Sequence, residues 1–416
     1  MSMVIAADQI SYGDLYSRWE QGNWSATKID FTTDREQWAS TFSEMERRAT
    51  LWTYAMFFHG EDSVADNLSP YIDAAPREEQ KYFLATQQVD EARHAILFAR
   101  FMREVAGTGT DPASALEATR PELTWGFKKV FARLDQMADE LRRDRSKPKL
   151  AQAITLYHLI VEASLAQPGQ HLIEESLKRR DLLPGFREGI GNVSKDEQRH
   201  IAFGVKMIAD LVREDPECLP AIEELLREIF PYTAAVFVPP GWDERYVEAF
   251  GFTLEEIFAY GADSIESKLR AAGLEPEKMR VGLPFDVPPQ ERARRGLAML
   301  RAGYLGEPNG PARLDPAVTE LLFDSLRRQV DLRAAEGATI QWEFKDAEPW
   351  HLSVQGGQAS VARGVAPQPD LVFRCRLQDW LDVTAGRTEP LRAVLTGKIR
   401  PRGSLRMLLR SPKLFA

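Results

Sequence analysis

The chain contains one five-residue pattern twice, as "DEARH" at residues 90–94 and as "DEQRH" at residues 196–200. In a helix, residues three positions apart lie on the same face, so Glu91 would project beside His94 and Glu197 beside His200. One such pair is a weak signal, because both residue types are common on solvated helix faces. Two copies, each with a carboxylate and an imidazole, predict two halves of a site for first-row metal ions.

A further glutamate precedes each copy of the pattern. Glu61 lies in "MFFHGEDSV", 30 residues before Glu91, and Glu162 lies in "YHLIVEASLA", 35 residues before Glu197. A carboxylate on an apolar helix face is costly to bury unless it is protonated, hydrogen-bonded or bound to a cation. Because this interval fits one helix, a turn and a return along an antiparallel neighbour, we expect each helix pair to bring its three side chains to one level.

The predicted site therefore has four carboxylates and two imidazoles. The expected metal ligands are Glu61, Glu91, His94, Glu162, Glu197 and His200. This is the ligand set of ferritin-like di-iron and di-manganese carboxylate bundles. Two divalent cations would cancel a charge of about −4 that would otherwise repel itself. Oxygen-rich ligation with only two nitrogens favours iron or manganese over zinc.

Two aspartates directly precede the ligand glutamates. Asp90 and Asp196 are expected to accept a hydrogen bond from a ligand histidine of the facing pair, since such histidines usually donate their far N–H to a carboxylate or carbonyl. A solvated helix turn would also explain them. Arg93 and Arg199 repeat as well, either to neutralise these aspartates or as ordinary surface arginines.

Composition restricts the class of protein. The formal charge of −9 over 416 residues argues against nucleic acid as the main partner. Two cysteines, Cys218 and Cys375, are too few for a disulfide framework or a thiolate metal site, which favours a reducing compartment. The start of the chain has no basic stretch followed by an apolar run, and no apolar run approaches 18 residues. We expect a cytoplasmic protein with at most peripheral membrane contact.

The chain divides into two regions of different periodicity. Residues 1–280 are expected to form an all-α ferritin-like helical bundle, 281–312 a linker rich in proline and charge, and 313–416 a small α+β domain. In the bundle we expect a capping box of Thr33 and Glu36, one helix over about 114–144, and a kink or break in "AQPGQ" at 166–170. Alternating apolar residues predict three strands, around 340–344, 352–354 and 371–375.

The helical region resembles the ribonucleotide reductase small-subunit superfamily, and within it the ligand-binding oxidases. The resemblance rests on the six expected ligands in their order and covers about residues 25–275. It implies oxygen activation at a di-iron or manganese–iron centre, with O2 as co-substrate, an external electron donor and usually a homodimer. Radical-generating members carry a tyrosine four residues after the first ligand histidine, where this chain has Phe98. That difference argues against ribonucleotide reduction.

Tyr157 is the candidate catalytic residue beside the metal ligands. It stands five residues before Glu162, as does the tyrosine of the ligand-binding oxidases, which becomes linked to a valine close behind the first ligand glutamate. Here Ser63 is the second residue after Glu61, and Val64 follows it. Tyr157 could donate an electron, or it could be a core tyrosine with its hydroxyl satisfied.

The C-terminal region is similar to sterol carrier protein type 2 domains. The similarity rests on "AVTELLFDSLRRQV", "ATIQWEF" and the segment from Pro369 onward, and spans about 313–416. It implies a hydrophobic tunnel for a fatty acyl chain or similar lipid. The alternative is a docking or dimerisation module with a filled core. A basic tail, with Arg402, Arg406 and Arg410 as an expected helical stripe, could meet an anionic head group, a membrane surface or the acidic bundle.

These patterns together predict an oxygen-dependent dinuclear metal oxidase or oxygenase, with iron–iron or manganese–iron ions and a largely apolar, possibly fatty-acyl, substrate. Two alternatives stay open at this point. One is a lipid-binding carrier whose metal site is structural or self-oxidising, and the other is a ferroxidase.

Overall fold

The computed structural model describes residues 6–308 and 310–403. The chain divides into two compact units. The first comprises Met1–Ile222 and Val236–Pro276, and the second Glu223–Ala235 and Glu277–Ala416. Among the described residues, no helix is both long enough and apolar enough to cross a bilayer.

The first unit is helical throughout. Its α-helices are α1 Tyr12–Gln21, α2 Thr32–Ser40, α3 Glu44–Asn67, α4 Ser69–Ala74, α5 Glu78–Glu104, α6 Pro112–Thr119, α7 Trp125–Arg143, α8 Lys147–Ile154, α9 Gln167–Arg180, α10 Pro184–Glu214, α11 Cys218–Thr233, α12 Arg245–Glu248 and α13 Leu254–Ala271. Helix α11 passes into the second unit at Glu223. Helices α3 and α5 pack along each other, and α10 packs on α8 and on a π-helix, Thr155–Ala166, that joins α8 to α9. The all-α ferritin-like fold class is confirmed for this part of the chain.

Helix starts in the first unit differ from those predicted. Thr33 and Glu36 lie inside α2, whose first turn has no side-chain cap, and the capping box belongs to Ser43 and Glu46 at the start of α3. There the Ser43 N–H donates to the Glu46 carboxylate at 2.7 Å, and the Glu46 N–H donates to Ser43 Oγ at 3.3 Å. The helix expected over 114–144 is two helices, because Thr124 caps the first turn of α7. Local hydrogen bonding thus ends helices that the apolar period alone would continue.

Of the kink or break expected at 166–170, a break is absent, and the helix type changes there instead. The chain is helical from Lys147 to Arg180, and the π-helix occupies the middle. Within the π-helix the Gln167 N–H donates to the Glu162 carbonyl, five residues earlier. Pro168 then falls at the first turn of α9, where a missing N–H is tolerated. The change of helix type therefore accommodates the proline without a break.

The second unit is α+β, as predicted. Its elements are α14 Pro289–Arg301, α15 Pro316–Gln329, β1 Thr339–Phe344, β2 Trp350–Gln355, β3 Gln358–Arg363, β4 Leu371–Cys375, α16 Leu377–Thr384, α17 Pro390–Leu395 and β5 Arg400–Gly403. The sheet order is β3-β2-β1-β4-β5, with β1 and β4 parallel and the other neighbours antiparallel. Two strands, β3 and β5, were not predicted, because β3 is largely exposed and β5 reads "RPRG".

Aromatic rings fill the core of the second unit. Phe323 of α15 stacks on Trp350 at 4.6 Å between centroids, and Trp342 contacts Phe373 and Trp380. Within the predicted linker 281–312 the structure has α14, and Tyr304 is fully buried in this same core. The division at 281 and 313 stays a prediction. The prediction that Arg402 belongs to a helical stripe is wrong, because Arg402 lies in strand β5. The other two residues of that stripe, Arg406 and Arg410, fall outside the described residues.

Candidate metal centre

The structure brings all six expected ligands together inside the first unit. Glu61 comes from α3, and Glu162 from the π-helix. The helix α5 supplies Glu91 and His94, and α10 supplies Glu197 and His200. None of the six residues is more than 5% exposed. Four helical segments therefore converge on one buried cluster of carboxylates and imidazoles.

The cluster contains two overlapping groups of donor atoms. In one group, donor atoms of Glu61, Glu91, His94 and Glu197 lie within 4.8 Å of one another; in the other, those of Glu91, Glu162 and His200 do. The Nδ1 atom of His94 is 3.2 Å from the Glu61 carboxylate, and Nδ1 of His200 is 3.2 Å from that of Glu91. Since Glu91 belongs to both groups, it is placed to bridge two ions.

Glu197 also reaches both histidines. Its Oε1 is 3.6 Å from Nδ1 of His94, and its Oε2 is 3.9 Å from Nδ1 of His200. The sequence grouped Glu197 with Glu162 and His200 and left open which carboxylates would bridge. The geometry puts Glu197 between the two groups, as a second carboxylate able to bridge.

The electrostatics of the cluster favour a cation. Burial raises the pKa of Glu61 to about 7 despite the neighbouring His94, and burial raises the pKa of Glu162 to about 8 despite its contact with His200. The pKa of Glu197 also lies well above its ordinary value, because of burial and the charges of Glu162 and Glu91. Without a cation, these buried carboxylates take up protons, which remove the negative charge that divalent ions would otherwise balance.

Two buried carboxylate oxygens that receive no hydrogen bond indicate that these residues fit a metal ion. Oε2 of Glu162 and Oε2 of Glu197 are buried and accept no hydrogen bond from any part of the chain that the structure describes. Buried carboxylate oxygens are rarely left unsatisfied, because each costs about 1–3 kcal/mol or more. Bound cations would satisfy both atoms.

The two aspartates contact the histidines of the facing helix. Nε2 of His94 on α5 lies 3.1 Å from Asp196 on α10, and Nε2 of His200 on α10 lies 3.1 Å from Asp90 on α5. An ionised aspartate only accepts, so each histidine donates from Nε2. This fixes the tautomer in which Nδ1 offers its lone pair to the centre of the cluster.

An outer layer of donors holds these aspartates. The indole N–H of Trp19 donates to Asp90 at 2.9 Å, and that of Trp24 donates to Asp196 at 2.8 Å. Arg93 and Arg199 bind the aspartates as well, and each arginine reaches both of them. The arginines are therefore not ordinary surface residues. The sequence analysis missed both tryptophans, since they precede the helical repeat and share no spacing with it. The full set of donors is Trp19, Trp24, Arg93 and Arg199.

Gln87 is a further residue that the sequence analysis missed. Its Nε2 donates to Glu162 at 2.8 Å, and its Oε1 accepts from Nε2 of His158 at 3.1 Å. Burial lowers the pKa of His158 to about 3, so this imidazole is neutral near pH 7. Because His158 donates to the amide oxygen, the amide nitrogen must face Glu162. The spacing of four residues between Gln87 and Glu91 was the available signal.

Tyr157 contacts the cluster through its hydroxyl. The O–H donates to Glu91 Oε1 at 2.9 Å, and the side chain is fully buried. Burial and the adjacent Glu91 raise the pKa of this phenol well above its ordinary value. Tyr71 packs edge-on against it at 5.6 Å. The hydroxyl is thus satisfied by a candidate ligand. Tyr157 is therefore both a core tyrosine with a hydrogen-bonded hydroxyl and a side chain in contact with the candidate centre.

A mostly apolar pocket of about 60 Å³ adjoins the cluster. One end is formed by the four glutamates of the candidate centre. The rest is largely apolar, with side chains that include Met56, Phe57, Val64, Phe127, Phe131, Val161, Leu165 and Phe237. Val64 is among the lining residues, and Ser63 is not. An apolar molecule in this cavity would have one end against the carboxylates.

Comparison with known families identifies the helical part. The model of the ribonucleotide reductase small-chain family matches residues 7–233, more than half of the chain. The chain belongs to the ribonucleotide reductase small-chain family. In this family member, the SCP-2 sterol transfer family model matches residues 319–416. The predicted combination of a reductase-like helical region with a sterol-carrier-like C-terminal region is confirmed.

Solved structures similar to this small-chain family member are R2-like ligand-binding oxidases. One is a variant with an anaerobically reconstituted Mn/Fe cofactor. It has a TM-score of 0.55 and 25% sequence identity, and the match covers 63% of this chain and 93% of the variant's chain. A second such variant has a TM-score of 0.54 and 25% identity, and covers 63% and 94%. The oxidase from Sulfolobus acidocaldarius has a TM-score of 0.53 and 25% identity, and covers 65% and 93%.

The position that distinguishes branches of the small-chain family has no phenol here. Phe98, four residues after His94, is fully buried and stacks on Phe57 with 5.6 Å between ring centroids. Its ring also packs against Phe186 at 5.6 Å. A tyrosine hydroxyl at this place would need a hydrogen-bond partner within an aromatic cluster.

Proposed function

We propose that this chain is an oxygen-dependent dinuclear metal oxidase or oxygenase with a largely apolar substrate. The observation that carries the proposal is the cavity whose one end is built from Glu61, Glu91, Glu162 and Glu197 and whose remaining wall is largely apolar. Such a cavity directs one end of an apolar molecule at the candidate metal centre. An apolar molecule, such as part of a fatty acyl chain, suits this lining better than a polar metabolite does.

Two metal ions, Fe/Fe or Mn/Fe, are the proposed cofactor. Glu61, Glu91 and His94 would hold one ion, and Glu162, Glu197 and His200 the other. Glu91 and Glu197 would also reach across. The Mn/Fe cofactors of the similar oxidases support this choice, as does the oxygen-rich ligand set. When bound, the metal pair supplies redox chemistry toward O2, and an external donor supplies the electrons.

The chain's own residues would control access and position. The apolar wall keeps water from the centre, and Asp90 and Asp196 orient the ligand histidines. Tyr157 is the proposed redox-active side chain, because its hydroxyl donates to Glu91. A substrate that fills the cavity would be held with one carbon next to the carboxylates.

Metal analysis combined with oxygen uptake tests the proposal. The full chain is reconstituted with Fe(II), alone or with Mn(II), and oxygen consumption is followed with and without a long-chain fatty acid. We expect two metal ions per chain and oxygen uptake coupled to an oxidised product, detected by mass spectrometry. Glu162→Gln should lose metal and coupled uptake, whereas Glu174→Gln, on a half-buried glutamate of α9 outside the cluster, should retain both. Oxygen uptake that yields no oxidised organic product would contradict the proposal.

Lipid binding by the second unit is a second candidate function, supported by the SCP-2 match over 319–416. Mass spectrometry of ligand extracted from the purified chain tests it, and a stoichiometric lipid is expected. Uptake of many more than two iron ions per chain would instead indicate a ferroxidase. We also propose a reducing, cytoplasmic location, which fits the buried free thiols of Cys218 and Cys375.

A further inference from the structure

The short helix α17 of the second unit has two leucines in solvent. Leu391 and Leu395 are 70% and 77% exposed, the highest values for large apolar side chains among the described residues. They stand four positions apart, so they are neighbours on one face of the helix. The helix is held by its smaller side chains, because Ala393 is fully buried in the aromatic core and Val394 packs against that core. The larger apolar side chains of α17 therefore lie outside.

Four exposed basic side chains accompany the two leucines. One belongs to α17, and the other three follow it in the turn to β5 and in β5 itself. The turn keeps them near the helix, because the Ile399 N–H donates to the Ala393 carbonyl at 3.1 Å. We call the leucines and the basic residues together the α17 surface. Its members are Leu391, Arg392, Leu395, Lys398, Arg400 and Arg402.

The basic residues of the α17 surface have little acidic company within the part of the chain that the structure describes. None of its three arginines forms an ion pair with a described residue, and Lys398 reaches one carboxylate at 4.0 Å. In the sheet, Arg400 of β5 stands directly opposite Arg374 of β4. Like charges opposite each other destabilise an antiparallel pair of strands. The concentration of positive charge therefore suits an anionic partner.

The charge of this end of the chain is opposite to that of the whole. The net charge of the chain is −9, yet the sequence from Pro390 to Ala416 contains seven basic residues and no acidic one. An anionic surface therefore repels most of the chain and attracts this end, which also orients the approach. A bilayer with anionic head groups suits both kinds of residue in the α17 surface, because it offers an apolar layer to leucines and negative charge to arginines.

We propose that the α17 surface docks this chain on the surface of an anionic lipid bilayer. Leu391 and Leu395 enter the boundary between head groups and acyl chains, and the basic side chains stay among the head groups. The contact is peripheral and reversible, since two leucines bury little apolar area. The proposal rests neither on the oxidase chemistry nor on lipid binding inside the second unit. All six candidate metal ligands lie in the first unit, so docking is measured on the metal-free chain.

Co-sedimentation of the metal-free full chain with vesicles is the first test. We expect binding to phosphatidylcholine vesicles that contain about 30% phosphatidylserine, and at least about tenfold weaker binding to pure phosphatidylcholine. Salt at about 0.5 M should also weaken the binding, because it screens exposed charges. A chain that does not bind the anionic vesicles, or that binds both kinds of vesicle equally, would overturn the proposal.

Two matched double variants test the surface itself. Leu391→Ser with Arg392→Gln should weaken binding to the anionic vesicles by about 30-fold or more, because one apolar side chain and one positive charge are lost. Leu332→Ser with Arg333→Gln changes the same pair of residues at an exposed site between α15 and β1, and should bind as the native chain does. Equal binding by the two double variants would refute the assignment to α17.

A fluorescent label tests insertion, and it also serves if the α17 double variant fails to fold by circular dichroism. The native thiols of Cys218 and Cys375 are buried, so Leu395→Cys provides an accessible thiol for a polarity-sensitive dye. We expect the emission of this label to move to shorter wavelength with anionic vesicles, whereas a label on Leu332→Cys should not respond. If a second copy of the chain or an acidic protein is the true partner of α17, vesicles leave the Leu395→Cys label unchanged and the proposal is wrong.

Discussion

At the scale of single residues, the candidate centre depends on groups that orient the ligands. The convergence of the six candidate ligands was predictable, because helical geometry places residues three apart on one face and apolar surroundings make each added glutamate conspicuous; their role as ligands stays a prediction. Gln87 and Trp24 were not predictable, since an amide or an indole has no spacing rule that links it to a carboxylate on another helix. Their role is visible only in the distances to Glu162 and Asp196.

Gln87→Leu should weaken metal binding by about 10- to 100-fold, the effect expected for loss of a group that orients a metal ligand. The variant removes the 2.8 Å hydrogen bond to Glu162 and leaves Nε2 of His158 without an acceptor. Isothermal titration with Mn(II) measures the affinity. Gln88→Leu, the adjacent glutamine, which donates to the Ala65 carbonyl, is the control and should bind metal normally. Equal losses in both variants would mean that only the stability of α5 had changed.

Metal affinity should rise with pH between about 6 and 9. Glu61 and Glu162 have pKa values of about 7 and 8, and the pKa of Glu197 is raised as well, so below these values each carboxyl holds a proton that a metal ion must displace. Above them the carboxylates are free to bind, and competition by protons ends. Calorimetry at pH 7 in buffers of different ionisation enthalpy should show net proton release on binding. An affinity that does not vary with pH would show that these carboxyls are already ionised.

At the scale of helices and strands, the sequence predicted the presence of an element better than the residues at which it begins and ends. The helices that carry the ligands were predicted because their apolar period is strong. The helical segment from Lys147 to Arg180 was predicted to kink or break at 166–170, because nothing in the composition marks a π-helix that shifts the hydrogen bonding before Pro168. Strand β3 was missed because its inward-facing residues Ala359 and Val361 are only partly buried and include just one large apolar side chain, which weakens the alternation that identifies a strand.

Close packing of α10 on the π-helix should not tolerate a side chain at Gly204. A Cβ there would lie 2.3 Å from Cβ of His158, and both belong to regular helical backbone. Gly204→Ala should therefore lower the free energy of unfolding by about 1–3 kcal/mol, the cost of overpacking a core. Gly191→Ala on the same helix has no atom within 4 Å and should raise stability by about 0.5–1 kcal/mol. Chemical denaturation measures both, and a stable Gly204→Ala would show that the two helices can separate.

At the scale of the whole molecule, the sequence predicted two kinds of structure, and the limits that it set at 281 and 313 stay a prediction. The family of each part followed from ligand order and strand pattern, and both matches confirm it. The sequence did not indicate that Glu223–Ala235 belongs to the second compact unit, because this segment is far from 313–416 in sequence. A change in composition along the chain cannot reveal a segment that joins a core through space. The substrate was equally beyond reach, since a cavity wall is assembled from separate helices.

Metal binding should stabilise one of the two units selectively. All six candidate ligands lie in the first unit, and the second has a core of its own around Trp342 and Phe323. We therefore expect two transitions in differential scanning calorimetry, and Mn(II) at about 100 times its dissociation constant should stabilise the first unit by about 2.7 kcal/mol. The other transition should stay in place. His200→Ala should abolish the shift, and Glu174→Gln, at a half-buried position outside the cluster, should keep it. If both transitions moved together with metal, the two cores would unfold as one cooperative structure, and the division into units would have no thermodynamic meaning.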